Sequence, residues 1–249
     1  MIMKVTGIFR RTALALLPAT LLIAACSKTD TPAPAPVDQG RINFYHAAAN
    51  ANVALKFQAD EVDKATITYG QNSGYQGVNT GSRTLKTTVA ASSSTTVAST
   101  PATVEKDKSY SYFVYANTQA AQAGLLVVDD LTAPSATKAK IRFVNLGQGT
   151  ASPLKLSTTV ATVSDIANTE TAFGMASGFV EILPGSYNVA VTSGAGSTVV
   201  TNVGDGSGSG TVANKTYEAG KIYTVVLRGQ SGATIAPDLQ PKAILIKNN

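Results

Sequence analysis

The chain has 249 residues and a formal charge of +5, with 20 Lys and Arg against 15 Asp and Glu. A single Cys excludes a disulfide framework, while a single His and the absence of Trp leave few side chains for acid–base catalysis or for stacking on sugars. The basic residues are scattered and form no stripe, which argues against a nucleic-acid partner.

The N-terminus combines basic residues with a short apolar run. Lys4, Arg10 and Arg11 precede the apolar segment 12–25. This arrangement is typical of a secretory signal, and the run is shorter than the about 20 residues that span a membrane. Residues 1–25 are therefore predicted to be a signal peptide. Its removal takes away these three positive side chains, so the mature chain has a formal charge of +2.

The signal ends in small residues that precede the cysteine. Ile23, Ala24 and Ala25 ahead of Cys26 resemble the bacterial lipobox, where a lipoprotein signal peptidase cleaves before the cysteine. The resemblance implies that Cys26 carries diacylglycerol and an amide-linked acyl chain such as palmitate. Because two or more acyl chains hold a protein firmly, we expect a lipid-anchored protein that does not span the membrane. The alternative is an ordinary secretory signal with an unrelated cysteine.

A proline-rich tether, residues 26–39, follows the signal. Pro32, Pro34 and Pro36 alternate with Thr and Ala, which favours an extended, semi-rigid spacer. At about 3.1 Å per residue, the spacer reaches up to ~40 Å from the lipid surface. Ser27, rather than Asp, follows Cys26, which favours the outer membrane as the destination. The sequence leaves open whether the protein faces the periplasm or the exterior.

Four segments recur in the same order along the rest of the chain. The offset between the partners grows from 99 residues for the first pair to 118 for the last, as expected for matching strands joined by longer loops in the second copy. The pairs are "RINFYH" and "KIRFVN", "GSRTLKTTV" and "GSYNVAVTS", "KSYSYFVYA" and "KIYTVVLRG", and "LLVVDD" and "AILIKN". The sequence thus predicts two copies, 40–130 and 140–249, joined by the linker 131–139.

The copies are predicted to be all-β. Their segments are short, rich in Val, Ile, Thr, Tyr and Phe, and separated by Gly, Asn, Ser and Pro, without sustained helical periodicity. The strands that contain Tyr110 and Tyr223 are apolar on both faces, which indicates central strands with the tyrosine face toward the core. Each copy has the size of one β-sandwich, so we predict two autonomous domains divided near Pro134. A single sandwich merged from both copies is the alternative.

The repeated segments resemble a known family. "RINFYHAAANANVALKF" and "KIRFVNLGQGTASPLKLS" are similar to the opening strand of a bacterial surface-lipoprotein repeat, domain of unknown function 4397, and "LPGSYNVAV" and "EAGKIYTVVL" are similar to its later turn and strand. The first copy departs from the pattern at Asn43, where the family usually has Arg. The resemblance implies tandem immunoglobulin-like sandwiches on Bacteroidetes-type lipoproteins, and it implies no activity.

His46 and Asn145 occupy equivalent places, where the opening strand of each copy gives way to a loop. Imidazole and carboxamide each offer a donor and an acceptor, so either can bond a backbone group that the strand ladder leaves unpaired. Only imidazole can shuttle protons near neutral pH. Because the second copy uses Asn, we predict a structural role for both residues.

Other candidates for chemistry are weak. Ser135 to Lys138 and Ser152 to Lys155 match the S-x-x-K pattern of penicillin-binding enzymes, but Pro153 and the linker exclude the helix that this chemistry needs. Carboxylates at 60, 61, 63, 129 and 130 could ligate calcium, although solvated loop and strand-end charges are the better explanation. The glycine-rich segment 204–210 is predicted to be a flexible hairpin loop. We therefore predict no enzyme activity, no cofactor and no metal site.

Binding remains as the predicted function. Tyr69 and Tyr75 lie near loop glycines and are candidate ligand contacts, with packing over a sandwich end as the alternative. The first hypothesis is a structural or adhesive surface module that contacts another protein or a glycan. The second is an accessory carbohydrate-binding lipoprotein of a polysaccharide-uptake system. The sequence does not indicate an oligomeric state.

Overall fold

The structure is a computed structural model that describes residues 37–159, 162–204 and 214–249. Within these ranges the chain forms nineteen β-strands and one short 3-10 turn, Ala49–Ala51. The predicted all-β fold is confirmed.

Eight strands form the first half of the described chain. They are β1 (Gln39–Ala47), β2 (Leu55–Ala59), β3 (Val62–Ile67), β4 (Asn72–Asn79), β5 (Gly81–Val89), β6 (Ser92–Val104), β7 (Ser109–Ala116) and β8 (Gln122–Val128). One sheet has the order β4-β1-β7-β8 and the other β3-β2-β5-β6. The two sheets bury a common core and form a sandwich.

The core of this half follows from the alternation of side chains along each strand. Strand β1 runs parallel to β7, with Phe44 opposite Tyr112. The Phe44 ring lies 6.1 Å from the Tyr112 ring and 5.6 Å from the ring of Phe57 on the facing sheet, centroid to centroid. Leu55 and Leu85 of that facing sheet are fully buried in the same cluster. Aromatic rings from both sheets thus fill the space between them.

Eleven strands form the second half. They are β9 (Ala139–Asn145), β10 (Leu154–Thr159), β11 (Val163–Asp165), β12 (Met175–Ala176), β13 (Val180–Ile182), β14 (Gly185–Tyr187), β15 (Val189–Ser193), β16 (Thr198–Gly204), β17 (Lys215–Tyr217), β18 (Ile222–Arg228) and β19 (Lys242–Lys247). Strand β18 lies between β9, to which it is parallel, and β19, to which it is antiparallel. Strand β7 has the same relation to β1 and β8.

The second half differs from the first because a strand pairing joins what would otherwise be two separate sheets. Strand β16 pairs in parallel with β19 at Val203 and Gly204, and this joins the strands of the half into one nine-stranded sheet. The short pair β14 and β17 lies apart from that sheet. Tyr223, Val225 and Leu227 of β18 lie in the core of this half, as Tyr110, Tyr112 and Val114 do in the first. The predicted core faces of both central strands are confirmed.

A third apolar cluster joins the two halves. It contains the opposite faces of the central strands, with Phe113 and Tyr115 from the first half and Val144, Leu146 and Val226 from the second. The sequence indicates that these strands are apolar on both faces, and the structure shows that each half covers the other. Val37–Asn249 forms one compact unit as a result. That each half folds alone stays a prediction.

Candidate functional site

His46 lies at the end of β1 and is fully buried. Its Nε2 is 3.0 Å from the carbonyl oxygen of Val53, and its Nδ1 is 3.3 Å from the backbone nitrogen of Ala48. Because a carbonyl only accepts, Nε2 carries the proton and Nδ1 accepts from Ala48. Burial is the main cause that lowers the pKa of His46 to about 4, and the nearby Arg228 charge contributes to the same net shift. The imidazole is therefore neutral and engaged at both nitrogens.

Asn145 lies at the equivalent end of β9 and is also fully buried. Its Nδ2 donates to the carbonyl oxygen of Thr171 at 3.3 Å. His46 and Asn145 thus make the same kind of hydrogen bond, from a side-chain nitrogen to a backbone carbonyl later in the chain. Their assignment as structural residues stays a prediction that these bonds support.

A buried ion pair links the two halves. Arg142 of β9 pairs with Asp129 at 2.7 Å, and their side chains are 1% and 0% exposed. The Arg142 Nε donates to Thr224, and its Nη2 donates to Ser111. The hydroxyls of Ser111 and Tyr75 in turn donate to Asp129 Oδ2 at 2.7 Å and 2.6 Å. This network contains groups from both halves.

A second arginine is buried at the other end of the interface. Arg228, at the end of β18, is 6% exposed. Its guanidinium carbon lies 4.3 Å from the centroid of the Tyr69 ring, and that ring meets His46 edge to face. Within the ranges that the structure covers, Arg228 forms no ion pair with a carboxylate, and its Nε and Nη1 have no hydrogen-bond partner. Burial raises the pKa of Tyr69, and the Arg228 charge acts against that rise.

The two predicted contact tyrosines are half-buried. Tyr69 has Arg228 over one face. The ring of Tyr75 has the Arg41 guanidinium 5.1 Å from its centroid, and its hydroxyl bonds Asp129. Burial raises the pKa of Tyr75, and the Asp129 charge raises it further. Ligand contact by either tyrosine stays a prediction. Tyr69 contacts Arg228 of the second half, and the Tyr75 hydroxyl bonds the carboxylate that pairs with Arg142.

A polar groove of ≈ 400 Å³ lies beside Tyr75. The turn before β7 supplies Asp107 and Lys108, and β1 supplies Arg41. The complete lining is Gln39, Gly40, Arg41, Tyr75, Gly77, Asp107 and Lys108. Cations, a carboxylate, an amide and an aromatic ring thus share one concave surface.

The carboxylates considered for calcium are dispersed. Asp60 and Glu61 form the two-residue turn between β2 and β3, with φ of 48° and 67°, as in a type I′ hairpin. Asp60 pairs with Arg83 at 2.9 Å, and Asp63 pairs with Lys56 at 3.1 Å. The expectation that Asp129 is solvated was wrong, because Asp129 is buried against Arg142. In the part of the chain that the structure covers, no group of three or more His, Cys, Asp or Glu side chains could hold a metal ion.

In neither S-x-x-K match does the serine hydroxyl bond the lysine ammonium, and Ser135 and Lys138 are joined only through the backbone, at 2.8 Å. Ser135 donates to Glu181 at 2.7 Å. Ser152 accepts a hydrogen bond from the backbone nitrogen of Phe173, while Lys155 pairs with Asp165 at 2.5 Å. Ser135, Ser152 and Lys155 are thus engaged by partners outside the two matches.

Several predicted features lie outside the described residues. Cys26 and its lipobox Ile23, Ala24 and Ala25 are among them, as are the tether up to residue 36 and the glycine-rich segment from residue 205 on. Among the residues that are described, no helix is long and apolar enough to cross a membrane.

Sequence reasoning missed the charged residues of the interface and of the groove. Arg142 could have been found, because it stands where the first copy has Asn43 in an otherwise matching apolar strand. Arg228 follows the apolar residues of β18 in the same way. Arg41 and Lys108 carry no comparable signal, because isolated cations at strand starts are common.

The fold is that of an all-β sandwich protein. The model of a family described as Domain of unknown function (DUF4397) matches residues 40–152, which supports a DUF4397 domain in that part of the chain. The match includes the first half, the linker and the start of the second half. No curated protein matches the chain in sequence.

Several solved structures show a likeness to the chain. One of them is a crystal structure of a Bacteroides uniformis protein described as a candidate for cell adhesion, with 9% sequence identity. The comparison covers 88% of this chain and 100% of that one, at a TM-score of 0.23. At such a TM-score the likeness carries no argument about this protein.

Proposed function

We propose that the protein is a non-catalytic module of the cell envelope with a structural or adhesive role, anchored to the outer membrane by lipid on Cys26. The state of His46 carries the proposal. The chain has one histidine. Its pKa is lowered to about 4, and both ring nitrogens bond the backbone. An imidazole in this state is a poor general base near neutral pH. The function then rests on surfaces, where the partner is a surface protein or a glycan.

We also infer that residues 140–249 are a second copy of the DUF4397 domain, on a lipoprotein of the Bacteroidetes type. The pairing of β9, β18 and β19 supports the second copy, since it repeats the pairing of β1, β7 and β8. His46 and Asn145 add a residue-level match. The lipobox resemblance of residues 23–26 supports the anchor.

Cells that produce the wild-type protein or the Cys26→Ser variant test the anchor and the adhesive role together. We expect the wild type to enter the detergent phase on phase partition and to increase cell attachment to surfaces. The variant should do neither, because it cannot receive diacylglycerol. Entry of the variant into the detergent phase would contradict the anchor. Equal attachment by cells with and without the wild-type protein would contradict the adhesive role.

A second candidate function is that of an accessory carbohydrate-binding lipoprotein in polysaccharide uptake. The groove beside Tyr75 favours it, because hydrogen-bonding groups of both kinds surround an aromatic ring there. A glycan array probed with the full-length protein distinguishes the two candidates, since saturable binding favours uptake. Neighbouring genes add a second criterion: a transporter pair of the outer membrane supports uptake, and secretion or gliding genes support adhesion.

A further inference from the structure

The groove beside Tyr75 contains charged groups that are free to bind. The Arg41 Nε donates to Ser109 at 2.8 Å. Within the described part of the chain, the two terminal nitrogens of Arg41 and the Lys108 ammonium make no hydrogen bond or ion pair. Asp107 also has no such side-chain partner there. Both cations and the carboxylate are exposed. The groove thus presents donors and acceptors that the fold itself does not use.

The equivalent place in the second half is occupied by the chain itself, at the end of the first copy and the start of the linker. Lys140 stands one residue before Ile141 on β9, as Arg41 stands before Ile42 on β1. Its ammonium bonds the Asp130 carboxylate at 3.1 Å and both the hydroxyl and the carbonyl of Thr132 at 2.9 Å. The same position in the fold therefore binds a carboxylate with a hydroxyl beside it.

We propose that the Tyr75 groove binds an acidic saccharide, a hexuronate unit of a glycan chain. Its carboxylate is held by Arg41 and Lys108, as the Asp130 carboxylate is held by Lys140. Its ring hydroxyls donate to Asp107 and to the side-chain oxygen of Gln39. The exposed part of the Tyr75 ring packs against the sugar. This inference rests on the proposed binding function and names the ligand class for one site.

The backbone around the groove favours a saccharide over an extended peptide. A peptide that adds to a sheet gains its affinity from main-chain hydrogen bonds to a free strand edge. Strand β1, on which Arg41 lies, is already paired with β4 on one side and with β7 on the other. Recognition in the groove must therefore come from side chains, and the hydroxyl-rich ring of a sugar matches the acceptors Asp107 and Gln39.

Titration calorimetry of the full-length protein in detergent tests the proposal. The probes are an oligogalacturonate, a neutral oligogalactose of equal length, and the capped peptide Asp-Leu-Thr, which copies residues 130–132. The variants are Arg41→Gln and Lys108→Gln. Lys221→Gln is the matched control, because Lys221 precedes β18 as Lys108 precedes β7. Thermal melts of every variant check the fold.

We expect the oligogalacturonate to bind the wild type and the control equally, and to bind each groove variant at least tenfold more weakly. The neutral oligosaccharide should bind more weakly than the acidic one. Equal binding by wild type and Arg41→Gln, or no binding of the acidic oligosaccharide, would overturn the proposal. Binding of the peptide alone would overturn it in favour of a protein ligand. The two proposals can fail separately. If calorimetry overturns the site assignment while cells that produce the protein still attach to surfaces, the proposed function stands without this site.

Discussion

Two arginines are buried between the sandwich halves, and the protein accommodates them in different ways. Arg142 has a carboxylate partner, Asp129, at 2.7 Å. Arg228 has no carboxylate within ion-pair distance in the described ranges, and it lies over the ring of Tyr69 at 4.3 Å. At one end of the interface Arg142 thus has a counter-charge, while at the other end the positive charge of Arg228 lies against an aromatic ring. A guanidinium does not lose its proton in proteins, so each end must stabilise the charge itself.

Removal of the carboxylate should have the largest effect on stability. We expect Asp129→Ala to lower the free energy of unfolding by about 3–5 kcal/mol, because Arg142 is left buried without a counter-charge. Urea unfolding of the full-length protein measures the change. Asp130→Ala, next in the chain but with a 57% exposed side chain, is the control and should cost less than about 1 kcal/mol.

The double variant Asp129→Ala with Arg142→Met makes this test more specific. It removes both charges, so most of the lost stability should return. A double variant as unstable as Asp129→Ala alone would show that packing, rather than the unpaired charge, causes the loss.

The Arg228 end should be the acid-sensitive one. His46 has a pKa of about 4 in the folded protein and the ordinary 6.5 when unfolded. Between these values the unfolded chain binds a proton that the folded chain does not, so stability falls as the pH decreases from 6.5 to 4. The two pKa values differ by the equivalent of about 3 kcal/mol. Protonation would also place a second positive charge near Arg228.

Urea melts between pH 7 and pH 4 measure this loss. The His46→Asn variant is the control, since a carboxamide does not titrate in this range. Carboxylates with lowered pKa, such as Asp165 at about 2, lose their contribution at lower pH in both proteins. Identical pH profiles for wild type and His46→Asn would contradict the assignment of this proton to His46.

A smaller effect is expected when the aromatic support of Arg228 is removed. Tyr69→Leu keeps an apolar side chain but loses the ring face, and should cost about 2 kcal/mol for a desolvated cation–π contact. Arg228→Met removes the charge itself and should stay within about 1 kcal/mol of the wild type. Thermal unfolding in the same buffer compares them. If Arg228→Met is the less stable of the two, the ring is not what stabilises the charge.

The smallest effect on stability is expected at His46, when it is replaced by the asparagine that stands at the equivalent position of the second half. His46→Asn at pH 7 should cost under about 1 kcal/mol, because one neutral hydrogen-bonding group replaces another. His46→Leu should cost about 1–3 kcal/mol, because the Val53 carbonyl loses its partner. The midpoint of urea unfolding measures both changes, provided that the slope of the unfolding free energy against urea concentration stays constant. Equal stability of all three proteins would exclude a contribution from these hydrogen bonds.

The sequence predicts the strands better than the interface between them. Tyr110 and Tyr223 could be placed in their cores, since alternation along a strand decides which side chains share a face. The surface that covers Phe113 could not be identified, because alternation shows that a face is apolar but not what packs on it. For the same reason, the sequence predicts a solvated strand-end charge at Asp129. Its burial depends on Arg142, which only the docking of the two halves brings to it.

The groove shows the same limit. Tyr75 could be singled out as an aromatic residue among glycines. Arg41 and Lys108 join it only because β1 pairs with β7 in parallel, which places the starts of both strands side by side. Parallel pairing joins residues that are far apart in sequence, and no local pattern in the chain reports it.

That parallel pairing also determines how the protein would bear mechanical load. Under the proposed anchor on Cys26, force would reach the fold from its N-terminal side, where the chain enters at Gln39, the first residue of β1. Strand β1 is hydrogen-bonded to β7 from Arg41–Ser109 to Ala47–Tyr115 and to β4 along its other edge. A pull along β1 acts across these bonds and loads them together in shear, instead of opening them one after another. The first strand after the proposed anchor in sequence is thereby the one placed to resist extraction by force.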